Sequence, residues 1–225
     1  MKICAISDLH GNLIYNIEES DILIIAGDIS PLNIQFNKEL MIKWLKKEFI
    51  PWSQKLPVNK IFLIAGNHDF VFYLCSEKEK YNLFKDTKIK YLEDSGEIYN
   101  KNGKSISIWG TPWCSVFGTW AFMREPEYEL SQFNKIPNNV DVLISHDPPY
   151  GACDICFESL RNVFEHLGNK ELQKVIKIRQ PKLVFCGHLH TGNHSPEYIN
   201  NTEIYNVSIL NEFYDIAYKP LYITI

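Results

Sequence analysis

One stretch, Lys60 to Asp69 (KIFLIAGNHD), joins a continuous apolar run directly to side chains that commonly bind metal ions. A β-branched and aromatic run of this kind is typical of a strand that is buried on both faces. Four other apolar runs in the chain end in the same way. They lead, in chain order, into Asp8 and His10, into Asp28, into His146, and into His188 and His190. The sequence therefore predicts five buried strands, each followed by a candidate ligand.

The position of these ligands relative to the strands predicts where they meet. Open α/β sheets bind ligands in the crevice outside the carboxyl ends of their strands. Five such strands would bring their terminal Asp, Asn and His side chains to one edge. Alternate residues of an extended segment point the same way, so Asp8 and His10 can hold one ion together, as can His188 and His190. A glycine such as Gly66 lets the backbone turn sharply as it leaves the strand.

The donor atoms in these motifs are carboxylate, imidazole and amide groups, with no thiolate. This set favours Mn, Fe, Zn or Mg over copper(I) or a structural zinc site. Any one motif alone is more typical of a turn or of a polar side chain satisfied within the fold than of a metal site. Five motifs in order, each directly after an apolar run, indicate a metal centre.

Composition and charge limit the classes of molecule that the protein is expected to bind. The 225 residues carry a formal net charge of −4, which argues against nucleic acid and an anionic membrane surface as partners. No apolar run approaches the roughly 20 residues of a membrane span. The start of the chain is too short for a signal peptide before it reaches Asp8, which predicts a cytoplasmic protein. Because the candidate ligands extend from Asp8 to His190, we expect a single domain over residues 1–225.

Periodicity and turn residues predict the remaining elements. Apolar residues at helical spacing predict a helix from Phe36 to Ile50, which Pro51 is expected to end. Gly103 predicts the turn of a hairpin. Further helices are expected over 76–85 and 169–179, and further strands over 203–208 and 221–225. Strands that alternate with helices early and pair as hairpins later predict a mixed α/β sandwich.

The order of the motifs, DxH, GD, GNHD, H and GHxH, resembles the calcineurin-like metallophosphoesterase superfamily over nearly the whole chain. Residues 110–122 and 145–151 resemble its small single-domain branch, which is similar to class III cyclic-nucleotide phosphodiesterases and metallophosphoesterase-domain proteins. The resemblance implies a four-layer α/β/β/α sandwich with mixed sheets.

The resemblance also implies a pair of divalent ions. Asp8, His10 and His190 would hold the first ion, Asn67, His146 and His188 would hold the second, and Asp28 would bridge both. A hydroxide shared by the ions would attack phosphorus, and His68 would act as general acid on the leaving group. Two ions about 3.5–4 Å apart clamp the attacking and leaving oxygens of such a displacement. Mn, Fe, Zn and Mg all suit the donors, and Mn is the ion expected in vitro.

Residues beside the ligands have roles that the sequence leaves open. Asp69 either fixes the tautomer of His68 or caps the helix that follows. Asn12 either donates a hydrogen bond to a substrate oxygen or caps a helix. Asn67 and His68 are also expected to contact the substrate.

The segment 111–124 is rich in aromatic residues, which either stack on a nucleobase or pack in the core. These residues are Trp113, Phe117, Trp120 and Phe122. Arg124 is the nearest cation and is a candidate phosphate clamp. Asp147 stands where the family usually has a small residue, and its effect on substrate preference or metal affinity is left open.

The leading functional hypothesis is a phosphodiesterase that acts on small phosphodiesters, with cyclic nucleotides the expected substrates. Protein phosphatases of the superfamily carry an arginine shortly after the GD motif and usually read GNHE, whereas this chain has Gly27-Asp28-Ile29-Ser30 and GNHD. A phosphomonoesterase or nuclease on the same site is the first alternative. A nucleotide-binding metal scaffold with weak turnover is the second. A homodimer is left open.

Overall fold

The computed structural model describes residues 1–158 and 163–225. Two mixed sheets form its centre. The first sheet contains, in spatial order, β13 (Leu221–Thr224), β1 (Lys2–Ile6), β2 (Ser20–Ile25), β3 (Val58–Leu63) and β4 (Ile89–Tyr91). Strands β1 to β4 are parallel, and β13 is antiparallel to β1.

The second sheet contains, in spatial order, β11 (Glu197–Ile199), β12 (Thr202–Asn206), β10 (Leu183–Cys186), β7 (Val142–Ser145), β6 (Lys104–Thr111) and β5 (Ser95–Lys101). Its four central strands, β12, β10, β7 and β6, are parallel, and both edge strands are antiparallel to their neighbours. A separate hairpin pairs β8 (Ile155–Glu158) with β9 (Val163–His166).

The two sheets pack against each other through one apolar layer. Ile3 and Ala5 of β1 lie in this layer with Phe62 of β3 and Ile144 of β7. The intervening residues of each strand, such as Cys4, belong to a second cluster that includes the apolar faces of the helices. Both faces of these strands are therefore buried, which explains why their sequences read as continuous apolar runs.

Helices cover the outer faces of both sheets, and this arrangement confirms the predicted α/β/β/α fold class. They are α1 (Lys38–Trp44), α2 (Ile50–Lys55), α3 (Phe70–Leu74), α4 (Glu77–Phe84), α5 (Pro126–Phe133) and α6 (Lys170–Arg179). Among the described residues, no helix has the length and apolar character needed to cross a bilayer.

Several predicted elements are confirmed. Ser76 caps α4 through a reciprocal capping box with Glu79, and Asn169 caps α6 by accepting a hydrogen bond from Leu172 N–H. The predicted hairpin joins β5 and β6, and its turn residues Asn102 and Gly103 both have positive φ, at 51° and 76°. This pair of left-handed residues is the turn geometry for which glycine is favoured.

The expected helix end at Pro51 is wrong. A π-helical segment, Leu45–Phe49, follows α1, and the chain continues through Pro51 into α2. In the π segment the N–H of Ile50 donates to the carbonyl of Leu45, so the turn is wider than in an α-helix. The wider turn accommodates the proline ring, whose missing N–H falls in the first turn of α2. Continuing the helix also buries Trp52 beside Phe49, with ring centroids 5.4 Å apart.

The layer between the sheets predicts a large effect for one substitution. Phe62 is fully buried there, so Phe62→Ala is expected to lower the free energy of unfolding by about 3–5 kcal/mol through lost transfer energy and the cavity left behind. Urea unfolding followed by circular dichroism measures this change. Phe213→Ala, at a position that is 75% exposed, is the matched control and should change the free energy of unfolding by less than about 0.5 kcal/mol. Equal effects of the two substitutions would contradict the assigned packing.

Candidate metal centre

The carboxyl ends of β2, β3, β7 and β10 open onto one cleft with a volume of about 760 Å³. Asp28, Asn67, His68, His188 and His190 line it. These residues come from loops of both sheets, and the chain arrives at each of them directly from a buried strand. The edge predicted from the sequence is thus the edge at which the side chains meet.

Three groups of ligand atoms lie close together at this edge. Each group has its atoms within 4.8 Å of one another: Asp8, His10 and His190; Asp28, His146 and His188; and His10, Asp28 and His68. Asp28 links the groups, because its Oδ2 lies 3.3 Å from His146 Nε2 and 3.7 Å from His10 Nε2. Asn67 Oδ1 lies 3.1 Å from His146 Nε2. The structure therefore brings all seven predicted ligands together, with Asp28 in the middle.

Several ligands have an unusual backbone. Asp8, His10, Asp28 and His188 have φ values of 56°, 41°, 52° and 67°. A residue with a Cβ in this left-handed region is strained by about 1–3 kcal/mol and persists only where its surroundings enforce it. At Gly66 a side chain is excluded, because a Cβ there would collide with Asp28 Oδ1 and the His146 ring. The strained backbone re-aims the ligands into the cleft as soon as each strand ends.

Backbone groups fix which imidazole nitrogen faces the cleft. Nδ1 of His146 lies 2.8 Å from the carbonyl of Ala26, and Nδ1 of His190 lies 2.9 Å from the carbonyl of Asn211. A carbonyl only accepts, so Nδ1 of each ring carries the hydrogen, and in the neutral ring Nε2 presents its lone pair to the cluster. This outer hydrogen bond is the usual way in which a protein orients a histidine toward a metal.

Backbone N–H groups orient the two carboxylates. Asp28 Oδ1 accepts from His68 N–H at 2.8 Å, which leaves Oδ2 to face the imidazoles. Asp8 accepts from His188 N–H with both oxygens at 3.1 Å. The second contact ties the loop after β1 to the loop after β10, so it joins the two sheets at the site.

The cluster places buried carboxylates beside imidazole rings, and each kind of group shifts the pKa of the other. Burial opposes ionisation of Asp8, yet the neighbouring His190 holds its pKa down at about 2. Burial likewise opposes ionisation of Asp28, but the His146 ring keeps its pKa below the usual range. Burial of His146 disfavours its charged form, but the neighbouring Asp28 outweighs this effect and raises the pKa of His146 to about 10. In contrast, burial lowers the pKa of His10 to about 4.

His10 supplies the clearest test of whether these residues fit a metal ion. Its side chain is almost fully buried, and neither ring nitrogen has a hydrogen-bond partner among the described residues. A buried polar atom without a partner is costly, and a bound cation would satisfy it. Together with the oxygen and imidazole donors around Asp28, this orphaned ring fits one or more divalent ions.

Asp69 occupies the N-cap position of α3, but its expected role in fixing the tautomer of His68 is wrong. Its carboxylate accepts from the backbone N–H groups of Gly66, Ile29 and Ser30 and from the Ser30 hydroxyl, and it makes no capping bond to α3. Because Asp69 is turned toward these N–H groups, it ties the loop after β2 to the loop after β3. The partner of His68 Nδ1 is instead Oε1 of Gln35, at 2.6 Å.

The structure also separates the residues expected to bind substrate. Asn12 lies in an irregular segment, so its expected role as a helix cap is wrong. Trp113 is buried and donates to Asp94 Oδ2, so it packs in the core and does not line the cleft. Arg124 donates to the carbonyl of Met123 and to the hydroxyl of Tyr73, away from the cleft, so a phosphate clamp at Arg124 is wrong.

The aromatic segment divides into two pairs. Phe122 is buried beside Trp113, with ring centroids 5.7 Å apart. Phe117 and Trp120 line the cleft, where their rings lie 5.4 Å from His188 and 4.4 Å from His68. Core packing thus describes Trp113 and Phe122, whereas Phe117 and Trp120 face the cleft and their stacking on a nucleobase stays a prediction.

Asp147 and Glu129 belong to a buried polar network that reaches the cluster. Asp147 Oδ1 lies 3.5 Å from His188 Nε2, and its Oδ2 accepts from Ser115 N–H at 2.8 Å. Asn169 Nδ2 donates to Glu129 Oε2 at 3.1 Å and lies 3.4 Å from Asp147 Oδ2. The role of Glu129 was not predicted, because nothing in an amphipathic helix marks one of its carboxylates as buried.

Comparison with known proteins identifies the family. The model of the calcineurin-like phosphoesterase family matches residues 1–192, and the chain belongs to this family, as its motifs indicate. Among curated proteins, it is similar to metallophosphoesterase domain-containing protein 1 of Homo sapiens, with 30% identity over 194 residues that cover 76% of this chain and 55% of that protein. The chain thus spans about half the length of this relative.

Solved structures share the fold. One crystal structure aligns with a TM-score of 0.68 at 19% identity, over 94% of this chain and 91% of the other. The protein TT1561 of Thermus thermophilus aligns with a TM-score of 0.55 at 15% identity, over 91% and 88% of the two chains. At these identities the likeness concerns the fold alone.

The buried network predicts a pH dependence of stability. Burial raises the pKa of Glu129 from 4.5 to about 7. Between these values the folded state holds a proton that the unfolded state has lost, so stability falls as pH rises through this window. Between about pH 5 and about pH 8 the free energy of unfolding should fall less in Glu129→Gln than in the parent protein. The difference between the two decreases is expected to be roughly 1–3 kcal/mol.

Urea unfolding in the presence of a chelator measures this difference. Glu127, which is exposed on the same helix, provides the matched substitution Glu127→Gln, which should keep the pH dependence of the parent. If Glu129→Gln and the parent lose the same stability across this range, the burial of an uncharged Glu129 is refuted.

Proposed function

We propose that the protein is a dinuclear-metal phosphodiesterase that hydrolyses small phosphodiesters, with cyclic nucleotides as the expected substrates. The observation that carries the proposal is the position of Asp28 between two groups of ligand atoms, with His68 beside them. Asp8, His10 and His190 would hold one ion, and Asn67, His146 and His188 the other. Two divalent ions (Mn, Fe, Zn or Mg, with Mn expected in vitro) would supply Lewis acidity and an activated water at neutral pH.

The chain's own residues supply the remaining chemistry. His68 Nε2 lies 4.0 Å from Asp28 Oδ2, so it faces the same space as the proposed ions without being needed to hold them. From there it would donate a proton to the departing oxygen of the ester, which removes the charge that develops as the bond breaks. Asn67, which lines the same cleft, would also contact the phosphate.

The charge of the cleft supports a diester over more highly charged substrates. Of the described residues that line the cleft, none is a lysine or an arginine, whereas Asp147 and Glu212 add carboxylates. A phosphodiester carries one negative charge, and a phosphomonoester near neutral pH carries close to two. Nucleic acid would add a row of phosphates that usually requires a basic surface. The cleft therefore favours a small monoanionic ester over the monoesterase and nuclease alternatives.

The shape of the cleft supports a substrate with an aromatic group. Phe117, which is 60% exposed, and Trp120 stand on the wall beside His188 and His68. Base–aromatic stacking contributes about 1–3 kcal/mol per base. A nucleobase against this wall would place its phosphate next to the ligand cluster.

The cytoplasmic location, the homodimer and the single domain over residues 1–225 stay predictions.

Removal and return of metal tests the proposal. Protein stripped with a chelator is expected to lose hydrolysis of an aryl phosphodiester and to regain it with Mn²⁺, and Asp28→Asn should prevent the recovery. Asp86→Asn, at an exposed position, is the matched control and should recover fully. Parallel assays with an aryl phosphomonoester, a 2′,3′-cyclic nucleotide and a short DNA compare the alternatives. Tight nucleotide binding without any turnover would contradict the proposed enzyme and favour a nucleotide-binding metal scaffold.

The aromatic wall predicts a selective change in binding. Phe117→Ala is expected to raise KM for a cyclic nucleotide by about 5-fold or more, because the stacking partner is lost. KM for a methyl aryl phosphodiester, which carries no base, should change much less. Tyr81→Ala, at a position 69% exposed and outside this cleft, serves as the control. Equal changes for both substrates would remove the stacking role.

A further inference from the structure

Gln35 is a buried polar residue that no motif accounts for. Its side chain is only 5% exposed, and it lies in the irregular segment before α1. Its amide oxygen is 2.6 Å from Nδ1 of His68, 33 residues away in the sequence. A buried amide costs free energy unless its polar atoms find partners, so this contact determines where the Gln35 side chain lies.

The contact also determines the orientation of His68. An amide oxygen accepts and does not donate, so Nδ1 of His68 carries the hydrogen and Nε2 points toward Asp28 and the cleft. Trp120 packs against the same ring with centroids 4.4 Å apart, and Phe36 and Phe70 back Trp120 at 6.0 and 6.3 Å. The imidazole is thus held at its edge by Gln35 and on its face by an aromatic cluster.

We infer that Gln35 is a positioning residue for His68 in the reaction, an inference that rests on the proposed phosphodiesterase function. Through its amide oxygen, Gln35 keeps Nε2 aimed at the departing ester oxygen in both protonation states of the ring, because Nδ1 donates in each. A carboxylate in this place would orient the ring equally well. The amide does so without placing another negative charge beside Asp28, where the anionic ester must bind.

Leaving-group dependence measures this role. An alkyl leaving group needs a proton more than an aryl leaving group does, and a positioned general acid contributes about 10²–10⁴-fold. We expect Gln35→Leu to lower kcat for an alkyl phosphodiester by about tenfold or more, with a much smaller change for the aryl ester and for KM. Gln35→Glu keeps an acceptor oxygen at the same distance and should restore part of the alkyl activity. Gln132→Leu, at another buried glutamine, is the matched control.

A double-mutant cycle and a spectrum separate this role from a structural one. In the background of His68→Ala, Gln35→Leu should have little further effect on the alkyl ester, because the residues act as a unit. Nitrogen-15 NMR of the parent protein should find His68 protonated at Nδ1 when neutral, and Gln35→Leu should mix the two tautomers. Full additivity, equal losses on both esters or an unchanged tautomer would overturn the inference. A parent protein with no phosphoesterase activity would instead overturn the proposed function.

Discussion

The candidate site depends on the packing of two sheets whose parallel strands end at a common edge. Each central strand is buried on both faces, with one set of side chains between the sheets and the other beneath the helices. A strand held by two different packing surfaces cannot change register without disturbing both. The loops beyond the strands are therefore fixed relative to one another. Asp8 and His188, which are 180 residues apart, can meet through a direct hydrogen bond for this reason.

The same constraint explains why much of the fold and most of the ligand cluster could be predicted from sequence. A run buried on both faces must be apolar throughout, and its end is marked by the first polar residue. Asp28 is such a residue, and His146 directly follows another, Ser145, so the positions of both follow from the strands that deliver them. Pro51 was misjudged because an α-helix excludes an internal proline, whereas the π-helical turn before it does not.

The partners of the ligands could not be predicted in this way. Gln35 lies in an irregular segment without periodicity, and its contact with His68 arises only when the loop after β2 folds over the loop after β3. Trp113 and Phe117 are four residues apart in one loop, yet one is buried and the other lines the cleft. Local sequence carries no signal for such choices, because they are made by tertiary packing.

The left-handed ligands have a consequence for how this scaffold changes over time. Asp8, Asp28 and His188 combine a strained backbone with a crowd of buried ionisable groups. Within the folded chain, hydrogen bonds such as the one from His188 N–H to Asp8 and ion pairs such as that of Asp28 with His146 offset part of this cost. Glycine at such a position would relieve the backbone strain, because it has no Cβ, but it would also remove a group that could hold a cation. A replacement that eases the backbone can therefore abolish the chemistry, and a well-folded descendant need not be an active one.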